Sequence, residues 1–502
     1  MNINSNEISI RISLLSFLLF LLFSCNSTRV SDNGEESTIK EHSAIVEVKI
    51  DVNATGDYVP DDYIGLSFET GSVRNNNAGM KGHFFSPDNT QSLTIFKQLG
   101  IKSLRIGGGS VDMNQKTPTF EDIDSLFAFA KASNVKVIYS LRLLNGNINE
   151  NITVAKYIWD NYKSYLQCFA IGNEPDWDSY HKTDPEIKDY PSFVAKWKKY
   201  ADAIVAIIPE VKFIAPHTGS NYPVPGAKNT FYEGKSWTVN FALDMKDSGM
   251  VNLISQHNYV GQDANGKTPR EMIDNMLSKV WVSDYYPILL KSNLQPVLDN
   301  GYQYRLAESN SFSGAVEGGS NSFATALFAL DYLHWWAQHK CAGVNFHNKQ
   351  WVLNAPIIMD SSNNLQVNPV GYGIKAFSLG GRGYVLPITI VNPDNFNLTA
   401  YAVLNSNNVF VTIINKEHAT SSKDTEVVID MTGNIIKAEK ISLVSPDGNV
   451  SSKDATLGGT IISNNKEWQE NWSHVTLADE GKCAVTVAPG SAVILKVTLK
   501  TN

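Results

Sequence analysis

The chain has 502 residues, 43% of them hydrophobic and 18% charged, and a formal net charge of −8. That apolar content supports more than one small domain and predicts two. The acidic balance, with no Lys/Arg cluster on any segment, excludes a field that would attract nucleic acid.

Reading from the N-terminus, Arg11 precedes an apolar run over 12–23 that is too short and too near the terminus for an ordinary membrane span. The run ends in Leu22-Phe23-Ser24-Cys25, which resembles a bacterial lipobox. This predicts a signal peptide over 1–24, a lipid on Cys25 and a polar tether over 25–43. A plain secretory signal is the alternative. The expected location is the outer membrane, on its surface or its periplasmic face, with the lipid as the membrane contact. Cys168, Cys341 and Cys483 have no metal-knuckle spacing and are expected as buried free thiols.

A strand is expected over 44–52, followed by short apolar runs at 64–69, 102–106, 135–141, 168–171, 211–216, 251–256, 304–307 and 343–346. Amphipathic stretches separate them. Ile123, Leu126, Phe127 and Ala130 share one face of a helix over 120–132, and Phe323, Leu327, Leu330 and His334 one face over 323–336. Strands alternating with helices in this number predict an α/β fold, a (β/α)8 TIM barrel over 59–376. Beyond it, β-rich runs at 384–391, 400–404, 409–415, 426–431, 441–444, 484–487 and 492–499 predict a C-terminal β-sandwich over 377–502. The early strand has no place in the barrel, so residues 44–58 are assigned to the sandwich.

Two acids close predicted strands. Ile171-Gly172-Asn173-Glu174-Pro175-Asp176 puts Glu174 after the fourth, and Glu308 follows the seventh. A barrel enzyme keeps its catalytic groups at those ends, and two carboxylates held there suit glycoside hydrolysis, one as acid/base and one as nucleophile. Glu174 is the better acid/base, since Asn173 beside it offers an amide to a sugar hydroxyl. Trp177 and Trp351 follow predicted strands four and eight, where they either stack on sugar rings or pack on the rim. His217, His257 and His347 lack ligand spacing and Gly107 to Gly109 lack a following Lys-Ser/Thr, so no metal and no cofactor are expected.

Asn-Glu-Pro with a later glutamate resembles the clan A glycoside hydrolases. Further segments are similar to glycoside hydrolase family 79, which includes β-glucuronidases and heparanase. They are Gly65-Leu66-Ser67-Phe68-Glu69, Leu104-Arg105-Ile106-Gly107-Gly108-Gly109-Ser110-Val111-Asp112, His257-Asn258-Tyr259, Glu308-Ser309-Asn310-Ser311-Phe312-Ser313-Gly314 and Asn368-Pro369-Val370-Gly371-Tyr372-Gly373. The resemblance implies a retaining hydrolase that releases β-linked glucuronic acid or its 4-O-methyl form from an oligo- or polysaccharide. Tyr259 would then orient Glu308. Glu69, Ser110, Asn173, His257 and, as a weaker candidate, Asp112 would meet the sugar, while backbone N–H groups at Gly314 and Ala315 and the Tyr372 hydroxyl would hold the uronate carboxylate. The chain departs from the pattern at Ser313 and Ala315, where members often carry Tyr and Gly, so a neutral hexose stays open. Another clan A activity, exo or endo, and a non-catalytic glycan-binding lipoprotein are the rival readings.

Overall fold

The computed structural model describes residues 45–500 apart from 78–80, 114–115, 178–181, 220–230, 432, 434 and 479–481. The expected signal peptide, Cys25 and the tether therefore lie outside the described residues. Among those described, no helix is long and apolar enough to cross a membrane.

Eight parallel strands close a barrel in sequence order. They are β1 (Ile64–Glu69), β2 (Ser103–Gly107), β3 (Lys136–Leu141), β4 (Leu166–Ile171), β5 (Phe213–Thr218), β6 (Val251–Tyr259), β7 (Gln303–Asn310) and β8 (Cys341–His347). All eight sequence runs are strands. The helices that follow them begin with α1 (Thr90–Leu99), α2 (Phe120–Ser133), α3 (Ile148–Tyr162), α4 (Tyr190–Val205) and α5 (Trp237–Asp244), and continue with α6 (Pro269–Met276), α7 (Ala324–Gln338) and α8 (Pro369–Gly380). Local chemistry sets their starts: reciprocal capping boxes join Thr119 with Asp122, Asp189 with Ser192 and Thr268 with Glu271. Small and medium side chains (Ile138, Cys168, Ala170, Ile214, Leu253, Ala307 and Ala342) fill a layer of the barrel interior, as a packed core requires. Trp335 and Trp336, on α7, are both buried, and the three cysteines described are free and buried.

The sandwich has a four-stranded and a seven-stranded sheet. Ile45–Ile50 lies in the smaller one, parallel to Thr425–Met431 and antiparallel to Ile388–Val391. Its inward residues Val46, Val48 and Ile50 pack with Val411, Ile413 and Leu495 of the larger sheet. The sandwich is fastened to α7 by charge as well as by apolar contact: buried Asp331 accepts hydrogen bonds from Lys416 Nζ at 2.7 Å, Thr399 Oγ1 at 2.7 Å and Tyr401 OH at 2.6 Å.

One irregularity in the barrel matters for the site. Against β6, the register of β7 slips between Leu306 and Glu308. Strict alternation would put Glu308 on the same face as Leu306, which packs in the outer core. The slip turns Glu308 inward instead, while the Ser309 hydroxyl faces outward to Tyr332 of α7.

Candidate active site

The C-terminal ends of the strands open into a cavity of about 880 Å³. Glu174 and Glu308 both line it. Glu174 sits in the turn after β4 with φ at +51°, a left-handed conformation held by its own N–H donating to His217 O at 2.8 Å. Gly219 faces this turn from the end of β5. A Cβ there would fall 2.2 Å from Trp177 Nε1 and 3.0 Å from Glu174 Cδ, so any side chain at this position must displace the Trp177 indole or the Glu174 carboxyl.

Glu308 is held from two sides. Arg105 Nη1 donates to Oε2 at 2.5 Å and Tyr259 OH donates to Oε1 at 2.8 Å. Burial alone would raise this carboxyl, but positive charge around it, His347 first and the Arg105 guanidinium with it, outweighs burial and holds it at about 2. The Tyr259 phenol is pushed well above its ordinary range by burial and by Glu308, so it remains a donor. Arg105 is itself buried, an inward residue between outward Leu104 and Ile106, and its Nη2 donates to Asn173 Oδ1 at 2.6 Å. Gly107 leaves room for the guanidinium, since a Cβ there would sit 2.7 Å from Arg105 Cζ.

Glu174 Oε1 lies 2.9 Å from His257 Nδ1, and His257 Nε2 lies 3.1 Å from His217 Nδ1. Glu174, His257 and Glu308 each bring one donor atom within 4.8 Å of the others. A cation among them would stand beside the guanidinium already bound to Glu308, so the charge of this donor set is met by the chain's own Arg105.

The other expected contacts divide. Glu69, Ser110, Asn173 and Gly314 line the cavity, together with Trp177 and Trp351. Glu69 accepts from Ser110 N at 2.8 Å and pairs with Lys349 Nζ at 2.7 Å. Burial opposes its ionisation, but His347 and Lys349 hold the carboxyl far below its ordinary range. Asp112 does not face the cavity. It accepts from Leu143 N, Leu144 N and Asn173 N at 2.8, 2.9 and 2.8 Å, so it fixes the backbone that carries Asn173 rather than touching a sugar. Burial pushes its carboxyl up to about 6 against these three donors. His257 is likewise enclosed, spending its two nitrogens on Glu174 and His217.

Tyr372 departs furthest from expectation. Its hydroxyl accepts from Ile462 N of the sandwich at 3.0 Å, because α8 turns this face to the second domain and away from the cavity. Ala315 is exposed and outside the cavity lining, leaving Gly314 as the member of that group at the wall. Arg105 and Lys349 had no role in the sequence reading, whereas His217 and His347 were expected as structural or sugar-contacting residues; His347 lines the cavity and His217 stands behind His257. An arginine at an inward position of an apolar strand was the available signal for Arg105, because a buried charge demands a partner.

A closed (β/α)8 barrel carrying a β-sandwich is a fold found in solved glycoside hydrolases. No protein-family description matches the chain, and no curated protein matches it in sequence. Among solved structures it is similar to a 4-O-α-L-rhamnosyl-β-D-glucuronidase from Fusarium oxysporum, with TM-score 0.66, 16% identity, and 90% of this chain and 100% of that one covered. It is also similar to an α-L-arabinofuranosidase from Thermotoga maritima, with TM-score 0.65, 14% identity and coverage of 90% and 100%. A xyloglucanase of glycoside hydrolase family 44 from Paenibacillus polymyxa gives TM-score 0.62, 11% identity and coverage of 91% and 100%. At these identities the likeness is one of fold.

Proposed function

We propose that the chain is a retaining glycoside hydrolase with Glu308 as nucleophile and Glu174 as acid/base. The observation that carries this is the carboxylate pair with donor atoms within 4.8 Å. Retaining enzymes hold their carboxyl groups about 5–5.5 Å apart, whereas inverting ones leave about 6.5–9.5 Å for a water. The two environments also differ in the sense the reaction needs. Arg105 and Tyr259 keep Glu308 ionised and aimed, while Glu174 faces a single imidazole.

In the first step a Glu308 oxygen forms a bond to the anomeric carbon as the glycosidic bond breaks, and the leaving oxygen takes the Glu174 proton. Esterification removes the charge on Glu308. Glu174, now a carboxylate, takes a proton from water, whose oxygen attacks the same carbon and releases Glu308. Two inversions give net retention.

For the substrate we propose a β-linked glucuronosyl or 4-O-methylglucuronosyl unit on a glycan. Support comes from Arg74 and Lys349 in the wall of the cavity that Gly314 also lines, and from the fold shared with a glucuronidase. A neutral sugar is favoured by a different observation: Tyr372 faces Ile462, and Lys349 is already paired with the Glu69 carboxylate. Export and lipidation at Cys25 belong to the same proposal and rest on the sequence of residues 12–25; radiolabelled palmitate absent from the full-length chain expressed in a bacterial host would remove them.

The test is hydrolysis of aryl β-glucuronide, glucoside, galactoside and xyloside and aryl α-L-arabinofuranoside by the wild type and by Glu308→Gln. Glucuronide cleavage that falls roughly 10⁴-fold or more in the variant supports the full reading. Activity confined to a neutral sugar removes the uronate, and silence on all substrates favours an endo-acting enzyme or a glycan-binding protein.

A further inference from the structure

Behind Glu174 two imidazoles stand in line. Glu174 Oε1 is 2.9 Å from His257 Nδ1, and His257 Nε2 is 3.1 Å from His217 Nδ1. The rings are 1% and 0% exposed, and the far nitrogen, His217 Nε2, has no hydrogen-bond partner among the described residues. A neutral imidazole carries one N–H and one bare nitrogen. Stranding the N–H in a buried site costs more than stranding the bare nitrogen. The bare nitrogen of His217 is therefore Nε2, and its Nδ1–H donates to His257 Nε2. That leaves His257 with its own proton on Nδ1, where it donates to Glu174 Oε1.

We infer that His217 fixes the order of protons along this line, so that Glu174 carries its transferable proton on Oε2, the oxygen that His257 does not hold. His217 acts through His257, and both are positioning residues. The inference rests on Glu174 being the acid of the proposed reaction. The surroundings of His217 favour its neutral form. Burial and the Arg105 guanidinium from β2 hold His217 well below the usual imidazole range, against a smaller opposing pull from Glu308 on β7. Without His217, His257 is free to carry its proton on Nε2 and accept from Oε1, which draws the acidic proton away from the leaving group.

The proton order is read directly by nitrogen-15 NMR of the histidine-labelled protein at neutral pH. The expected spectrum has both rings neutral, with protons on Nδ1 of His217 and of His257. A proton on His217 Nε2, or a cationic ring at either position, overturns the inference, and this readout does not depend on turnover. Kinetics supply the second test. His217→Leu is expected to lose roughly 10-fold more kcat/KM on poor leaving groups than on good ones, and His217→Asn, which keeps a donor near the Nδ1 position, to recover that difference. Equal losses on both substrate types would refute the relay. Should the wild type cleave no glycoside, the hydrolase reading falls while the spectrum still decides the proton order.

Discussion

Arg105 Nη1 lies 2.5 Å from Glu308 Oε2, in a pair whose side chains are 0% and 8% exposed. The contact joins the ends of β2 and β7 across the barrel, and the second arm of the same guanidinium reaches Asn173, beside Glu174. One buried cation therefore ties Glu308 to the residue that precedes Glu174.

Replacing Arg105 by Met leaves Glu308 buried without the guanidinium that pairs with it. Loss of one partner of such a pair costs about 3–5 kcal/mol, so a clear fall in Tm at neutral pH is expected. The pH dependence has a definite sign. In the wild type the Glu308 carboxyl is depressed to about 2, so its ionised form contributes stability above the ordinary carboxylate range that is lost as pH falls toward about 2. In Arg105→Met that loss, and the acid limb of kcat/KM, should begin at higher pH. An unmoved acid limb would separate Arg105 from the ionisation of Glu308.

Gly219→Ala tests the close approach behind the acid. The new Cβ would meet Trp177 Nε1 at 2.2 Å and Glu174 Cδ at 3.0 Å. The expected outcome is displacement of Glu174 and a fall in kcat/KM of about 100-fold, since a shift of about 1 Å carries that cost. Tm should change little, because both neighbours stand at the cleft. Full activity in this variant would mean that the turn yields without moving the carboxylate.

Lys349→Met separates the two substrate readings. Lys349 lines the cavity and pairs with Glu69 at 2.7 Å. If it meets a uronate, kcat/KM on the glucuronide should fall about 10- to 100-fold more than on the glucoside, the equivalent of a charge-assisted hydrogen bond of about 1.5–3 kcal/mol. Equal changes on both would assign Lys349 to holding Glu69.

Lys416→Met removes the cation from the junction between the domains. Lys416 and Asp331 have side chains 2% and 4% exposed, and Asp331 also accepts from Thr399 and Tyr401. A loss of about 3–5 kcal/mol in unfolding free energy is expected, measured by denaturant titration. The double variant Lys416→Met with Asp331→Leu should recover part of it, and no recovery would show that the pair is not the source of the loss.

The amino-acid sequence by itself carries the barrel and the sandwich, because each barrel strand needs a short apolar run and each helix a 3.6-residue period, and both signals are local. It also carries Glu174 and Glu308 as the acids at strands four and seven. What it does not carry depends on contacts between segments far apart in the chain. Local alternation would turn Glu308 outward with Leu306, and only the register slip against β6 brings it to the cavity. Arg105 reads as one charge in an apolar strand until Glu308 and Asn173 close around it. Tyr372 and Asp112 sit in segments that resemble a sugar-binding pattern, yet one is taken by Ile462 of the second domain and the other by three backbone N–H groups. A side chain's partners are chosen by which elements pack against it, and that choice is made only when the barrel closes and the sandwich docks.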